Sequence, residues 1–125
     1  MSLAQSNPVT FIHTRDRERA KSFYANMLGL ALGHEDPHAV VFDLNGIPLR
    51  ITTIPDHHPL PHTILGWAVA DIVAMVGQLR QKGVTFQIYE GFGQDELGIW
   101  NSPDGKAKVA WFNDPDGNNL SLTQF

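Results

Sequence analysis

The sequence contains no cysteine among its 125 residues. Disulfide bonds, thiolate nucleophiles and cysteine-ligated zinc or iron–sulfur sites are therefore excluded. It also lacks an apolar run of about 18 residues, the length that a membrane-spanning helix needs, so we expect no membrane contact. The first residues, MSLAQSNP, carry neither a positive start nor an apolar stretch. A secretory signal is thus not predicted, and we expect a cytoplasmic protein.

Clustered positive charge is absent as well. The formal net charge is -4, and the 9 Lys and Arg residues are scattered along the chain. Nucleic acids attract proteins through a basic stripe or patch, so nucleic acid is not an expected partner. The composition, with 42% hydrophobic and 18% charged residues, is that of a globular chain, and the length suits about one domain.

A short pattern occurs twice in the chain. Residues 43–52 read DLNGIPLRIT and residues 114–123 read DPDGNNLSLT, and both fit D-x-[ND]-G-x-x-L-x-[IL]-T. The first copy contains Asn45-Gly46, a strong signal for a two-residue hairpin turn. A repeat of this size predicts two similar units that bury their apolar faces together, within one chain or between two.

Each copy also contains one helix-like segment. Apolar residues recur at helical spacing from Asp16 to Gly29, and again from Asp71 to Gly83. Aspartate is a favoured N-cap residue and glycine a favoured stop. The members of the first series are Ala20, Phe23, Tyr24, Met27 and Leu28, and those of the second are Ile72, Val73, Met75, Val76 and Leu79.

Strand-like stretches surround each helix, so the chain predicts a βαβββ unit written twice, an α+β fold. The second copy carries an insertion, Gly91 to Lys106, whose glycines, acids and aromatics suit either a mobile flap or an ordered hairpin. The predicted strands are Val9–Thr14, Ala31–Glu35, His38–Leu44 and Ile47–Ile54 in the first copy, and Thr63–Ala70, Val84–Tyr89, Lys106–Asn113 and Asn118–Gln124 in the second.

Side-chain alternation assigns the two faces of the predicted sheets. In the last strand, Leu120 and Leu122 face the helix and Ser121 faces away, toward a predicted cavity. Trp67 is expected under a helix, and Phe23, Tyr24 and Trp111 are expected in the core. The side chains predicted on the face opposite the helices include Val9, Phe11, His13, Arg50, Thr52, Ile64, Gly66 and Ala68.

Three segments together carry a family resemblance: SFYANMLGL at 22–30, VADIVAMVGQLRQKGV at 69–84 and WFNDPDGNNLSL at 111–122. In this order and spacing they resemble the vicinal oxygen chelate (VOC) superfamily of glyoxalase I, extradiol dioxygenases, fosfomycin-resistance enzymes and bleomycin-binding proteins. The resemblance implies a single VOC-type domain over residues 1–125, with module 1 at about 8–54, a linker at 55–62 and module 2 at about 63–125. It also implies a cupped mixed sheet with the helices outside, and a homodimer.

Metal-using relatives hold the ion with four ligands, commonly His and Glu, at equivalent places in the two modules. Carried onto this sequence, those places are Val9, Arg50, Ile64 and Ser121. None is a usual ligand, and Arg50 adds a permanent positive charge. We therefore expect no metal and no other cofactor.

The remaining candidates concern ligand binding. Arg50 can bind a carboxylate or phosphate, or form a structural ion pair. His13 can contact a ligand or act as a general base, or merely line the sheet. His57, His58 and His62, in a proline-rich linker, are expected to be solvated. The predicted ligand contacts are Phe11, His13, Arg50, Thr52, Gln94, Trp100 and Ser121.

Three functions remain open from the sequence, and one of them is a purely structural or regulatory module whose ligand site has decayed. Another is a metal-free protein that binds an anionic or amphipathic small molecule. The third is a lyase or isomerase that acts on a small oxoacid or thioester, with His13 or an acid of the insertion carrying a proton and Arg50 fixing the substrate.

Overall fold

The computed structural model describes all 125 residues, Met1–Phe125. The chain folds into two compact units, Met1–His58 and Pro59–Phe125. Each unit contains one four-stranded sheet and one principal helix. The α+β class and the two βαβββ modules are confirmed. No helix of the structure has the length and apolar character needed to cross a bilayer.

The first unit has the strand order β1-β4-β3-β2, with β1 parallel to β4 and the other pairs antiparallel. The β3–β4 turn is the predicted one, since Asn45 and Gly46 both have positive φ, 52° and 96°, as a type I′ turn requires. The strands are β1 (Thr10–Thr14), β2 (Ala31–Glu35), β3 (Ala39–Leu44) and β4 (Ile47–Thr53).

The helix of the first unit, α1 (Arg17–Ser22), begins at the predicted N-cap, because the Asp16 side chain accepts a hydrogen bond from the Arg19 N–H. It continues as a π-helical turn over Phe23–Met27, a difference from the regular helix that the periodicity predicts. The helix packs against β3 and β4. Tyr24 is fully buried beside Phe42, as predicted for the core.

The second unit repeats this plan with the strand order β5-β8-β7-β6. Its helix is α2 (Ile72–Gln81), capped by the Asp71 carboxylate as predicted. It packs against β7 and β8, and the Gln124 side chain on β8 accepts from the Ile72 N–H. The strands are β5 (Thr63–Ala68), β6 (Trp100–Asn101), β7 (Lys108–Asn113) and β8 (Asn119–Gln124).

One predicted strand is wrong. Residues 84–89 form no strand and make one isolated bridge, Phe86 with Phe112. Two separate segments pair with the outer edge of β7 instead. Phe86 bridges to Phe112 at one end of β7, and Trp100 pairs with Val109 at the other. The chain between these two contacts leaves the sheet. The insertion thus interrupts the edge strand, and its second half forms an ordered hairpin with β7.

The two faces of each sheet follow the predicted alternation. Trp67 stacks on Phe112 on the helix side, with ring centroids 6.5 Å apart, and Leu120 and Leu122 are buried there. A β-bulge shifts the register between Thr63 and Leu65, so simple alternation does not extend through Ile64.

Candidate functional site

The helix-free face of the first sheet brings together four predicted ligand contacts. Phe11 on β1 lies beside Arg50 on β4, and His13 lies beside Thr52 in the next row. The Phe11 side chain is 61% exposed, and His13 is also exposed. An apolar ring, a cation, an imidazole and a hydroxyl therefore occupy neighbouring positions on one surface.

Arg50 forms a structural ion pair, which the sequence analysis gave as the alternative to ligand binding. Its Nη2 donates to Asp36 Oδ2 at 3.1 Å, with both side chains about one third exposed. The guanidinium has five N–H donors in all, and Asp36 fixes its orientation through one of them. Arg50 thus has the capacity to bind a ligand anion while the ion pair persists.

The Asp36 carboxylate is held in its charged form. The N–H groups of His38 and Ala39 both donate to Oδ1 at 2.8 Å. These two hydrogen bonds, followed by Arg50, lower the pKa of Asp36 from 3.8 to about 2. Arg17 on α1 donates to the Asp36 carbonyl at 2.8 Å, so the helix also anchors this turn.

His13 has a second imidazole as its neighbour. The ring centroids of His13 and His57 lie 5.6 Å apart in an edge-to-face arrangement at 86°. The backbone N–H of His57 donates to the Ile54 carbonyl at 3.0 Å, which anchors the residue just after β4. Two imidazoles thus meet on the first unit.

The four positions that the family resemblance equates with metal ligands lie two in each unit, and none carries a side chain that commonly binds a divalent cation. The side chains of Val9 and Ile64 have no donor atom, the Ser121 side chain offers one neutral hydroxyl, and Arg50 is a cation paired with Asp36. Hard and borderline cations prefer carboxylate, carbonyl and imidazole ligands. The structure also contains no group of three or more His, Cys, Asp or Glu residues arranged to hold a metal ion.

The helix-free face of the second sheet is built around Ser121 and Trp111, which lie directly opposite each other on β8 and β7. Gly66 on β5 adjoins Ser121 on its other side. A Cβ at Gly66 would lie 2.6 Å from Ser121 Oγ, so the glycine leaves the space that the hydroxyl occupies. Ser121 is 7% exposed, with an aromatic ring on one side and bare backbone on the other.

Four aromatic side chains form a contiguous group on this unit, which we term the Trp111 group: Tyr89, Phe92, Trp100 and Trp111. Trp111 contacts each of the others, with ring centroids 5.6 Å from Tyr89, 6.0 Å from Phe92 and 6.3 Å from Trp100. Such edge-to-face and tilted contacts are favourable geometries for aromatic rings. Phe92 is 52% exposed, so the group presents an accessible aromatic surface.

The placement of Trp111 corrects a prediction. We expected Trp111 in the core, but its side chain is only half-buried and lies on the Ser121 face. The alternation along β7 contains the signal: Ala110 and Phe112 are buried, so the residue between them faces the opposite way. Phe23, in contrast, lies in the core as predicted.

A polar network borders the aromatic group. The Asn119 amide donates to the Tyr89 hydroxyl and to Asn113 Oδ1, both at 3.0 Å. Thr63 Oγ1 donates to Asn119 Oδ1 at 2.7 Å. The hydroxyl end of Tyr89 is therefore anchored to the sheet, which restricts its ring.

Gln94 has an unexpected set of partners. Its Oε1 accepts from the Tyr89 N–H at 2.7 Å, and its Nε2 donates to the carbonyls of Gln87 and Gly98 at 3.0 and 2.7 Å. The direct ligand contact predicted for Gln94 stays a prediction, but its amide already connects three backbone groups. Trp100, the other predicted contact in the insertion, belongs to the Trp111 group.

Comparison with known proteins agrees with this architecture. Residues 7–122 match the family model of the Glyoxalase/Bleomycin resistance protein/Dioxygenase superfamily. No curated protein sequence matches the chain significantly. Many solved structures do resemble it. Because the sequence identities to those described below are under 25%, the similarity shows the fold alone.

Three of these structures illustrate the range. A glyoxalase/bleomycin resistance protein/dioxygenase from Alicyclobacillus acidocaldarius has a TM-score of 0.74 and 19% identity, covering 100% of this chain and 95% of that one. The fosfomycin resistance protein FosX from Listeria monocytogenes has a TM-score of 0.75 and 10% identity, covering 97% and 93%. A lactoylglutathione lyase from Agrobacterium tumefaciens has a TM-score of 0.70 and 16% identity, covering 98% and 96%.

Proposed function

Because this chain belongs to the Glyoxalase/Bleomycin resistance protein/Dioxygenase superfamily, we propose that it is a metal-independent member that binds an amphipathic or anionic small molecule. The observation that carries this function is the Trp111 group on the helix-free face of the second sheet. Binding sites for small molecules are predominantly apolar and aromatic, with a few placed polar groups. The Ser121 hydroxyl beside Trp111 supplies such a polar group.

The anionic part of the proposal rests on the first sheet. Arg50 and Phe11 lie side by side there, so an aromatic acid can contact a ring through its apolar part and a guanidinium through its carboxylate. Arginine binds carboxylates through paired N–H donors. Thr52 and His13, in the adjacent row, are proposed as further polar contacts.

The test is a binding screen with a panel of aromatic acids, alcohols and amines, read by thermal shift and by tryptophan fluorescence. Trp111→Phe should weaken the binding of aromatic compounds about threefold to tenfold, the range that one aromatic contact contributes. Trp67→Phe is the matched control, since Trp67 lies on the helix side. Equal affinities in wild type and Trp111→Phe, or no binding by wild type, would refute this assignment.

A second function is favoured by the contact between His13 and His57. The two rings are in edge-to-face contact, with their centroids 5.6 Å apart, so His57 packs against the candidate general base His13. In this alternative the protein is a lyase or isomerase of a small oxoacid or thioester. Its test is solvent deuterium exchange into pyruvate followed by NMR, which His13→Asn should abolish; exchange that persists in this variant would exclude His13 as the base.

We also propose that the protein is a cytoplasmic homodimer. β1 and β5 are edge strands in their sheets, and exposed edges favour pairing with another chain. Val9, next to β1, is 46% exposed despite being apolar. A second copy would remove such surface from water.

A further inference from the structure

The loop that interrupts the edge of β7 starts and ends at fixed points. The Gln87 N–H donates to the Trp111 carbonyl at 2.8 Å, which pins the departing chain. The returning chain rejoins the sheet at Trp100, opposite Val109. We term the residues between these points, 88–99, the edge loop. It carries two members of the Trp111 group, Tyr89 and Phe92.

The Gln94 amide closes the base of the edge loop. It joins the departing arm, through Tyr89 N and Gln87 O, to the returning arm, through Gly98 O. This set of partners requires one acceptor and two donors at the end of one side chain, and the primary amide supplies both kinds. A carboxylate would face two carbonyl oxygens, and an apolar side chain would leave all three groups without this partner.

This closure holds the backbone that carries the two rings, while the Tyr89 hydroxyl is held separately by Asn119. Gln94 bonds directly to the backbone N–H of Tyr89, and the Phe92 N–H donates to the Tyr89 carbonyl at 3.2 Å within the same turn. The rings contact each other at 5.5 Å and both contact Trp111. The returning arm has its own support, since Asp95 Oδ1 accepts from the Leu97 and Ile99 N–H groups. Loss of Gln94 should therefore release the departing arm selectively.

We propose that Gln94 is a positioning residue for ligand selection: its amide holds the Tyr89 and Phe92 rings against Trp111 in the arrangement that favours flat aromatic ligands. This inference rests on the proposed binding function of the Trp111 group. Gln94 acts through the rings and needs no ligand contact of its own.

The test compares the affinities of two uncharged probes, planar 1-naphthalenemethanol and its saturated decalin analogue. In Gln94→Glu at pH 7, the preference for the planar probe should fall about threefold to tenfold, the range expected for displaced aromatic contacts. At about pH 4.5, protonation of the introduced carboxyl group restores one donor, and part of the preference should return. Gln78→Glu is the charge-matched control, on the exposed side of α2, and should behave like wild type.

A second variant and a second readout keep the outcome decisive. Gln94→Met preserves the length of the side chain without charge, so it should lose the preference with no recovery at low pH. Hydrogen exchange should show faster exchange across residues 88–92 in both variants, while α2 stays protected. A merely structural role would lower the thermal midpoint without changing the ratio of the two affinities.

The two hypotheses fail differently. If wild type binds neither probe, or Trp111→Phe binds both as well as wild type does, the binding function itself is wrong and the inference falls with it. If Trp111→Phe weakens the planar probe but both Gln94 variants retain the wild-type preference, the binding function stands and the role of Gln94 is refuted.

Discussion

Gly66 and Ser121 approach each other so closely that a Cβ on Gly66 would lie 2.6 Å from Ser121 Oγ and 3.3 Å from the Ser121 carbonyl oxygen. Gly66 does not have a positive φ, so its backbone conformation does not require glycine. The close approach of β5 to β8 is the physical reason that glycine occupies this position. The Ser121 hydroxyl thereby keeps its place beside Trp111 on the helix-free face.

Gly66→Ala should lower the free energy of unfolding by about 1–3 kcal/mol, the usual cost of overpacking. Adding Ser121→Ala should recover part of this loss, because the hydroxyl clash disappears while the carbonyl contact remains. Urea unfolding of the two single variants and the double variant measures the coupling. Gly77→Ala is the control with the opposite sign: no atom lies within 4 Å of its Cβ position, and alanine in a helix adds about 0.5–1 kcal/mol.

Asp36 should make stability depend on acid pH. Its pKa is lowered in the folded protein from 3.8 to about 2, so the charged form favours folding above about pH 4. That contribution is lost as the pH falls toward 2. Asp36→Asn retains an acceptor for the two backbone N–H groups but loses the charge. Thermal unfolding from pH 2 to 6 should show a higher midpoint for wild type than for Asp36→Asn at pH 6, with the difference shrinking toward pH 2. A constant difference would contradict the lowered pKa of Asp36.

Arg50→Gln should weaken the binding of aromatic acids to the first sheet. Charge-assisted hydrogen bonds to a carboxylate contribute about 1.5–3 kcal/mol, so the Kd of benzoate-type acids should rise at least about tenfold. Benzyl alcohol should bind with unchanged affinity. Calorimetric titration measures both, with Arg80→Gln on α2 as the charge-matched control. If benzoate binds Arg50→Gln as it binds wild type, Arg50 has only its structural partner.

Addition and removal of metal should leave ligand binding unchanged. Purified protein incubated with Zn²⁺, Mn²⁺ or Ni²⁺ and then desalted should hold well under one equivalent by elemental analysis. EDTA should change neither the thermal midpoint nor the probe affinities. One tightly held ion per chain, lost in Ser121→Ala, would overturn the metal-independent assignment, since Ser121 has the one side-chain oxygen among the four positions carried over from the resemblance.

Sedimentation equilibrium should give twice the chain mass of 13.9 kDa at micromolar concentration. The physical reason is the exposed apolar surface next to the edge strand β1, where Val9 is 46% exposed. A single species at the chain mass over the whole concentration range would exclude the homodimer.

Much of the fold could be predicted because local signals agree with tertiary packing. The Asp16 and Asp71 caps, the Asn45-Gly46 turn and the alternation along β4 and β8 each depend on residues close in sequence. The strand predicted at 84–89 failed because Phe86 alone packs on and bridges to Phe112, without continuous backbone pairing. The insertion that separates this segment from its continuation at Trp100 decides the pairing, and local propensity does not contain that information.

The candidate site was only partly visible in the sequence. Alternation placed Phe11, Arg50 and Ser121 on the correct faces. The partner of Arg50 could not be predicted, because Asp36 reaches it from a turn whose conformation depends on the His38 and Ala39 N–H groups. The Trp111 group was missed because its members come from three separate segments, and the path of the edge loop brings two of them to β7.

The interruption of the β7 edge also separates the backbone pairing of the sheet from the sequence and length of the edge loop. β7 has a partner residue on each side of the edge loop, Phe86 before it and Trp100 after it. Residues inserted or deleted at the loop tip should therefore leave the pairing register of the sheet intact. We therefore expect that loop tips of different length can be exchanged between Gln87 and Trp100 without redesign of the core.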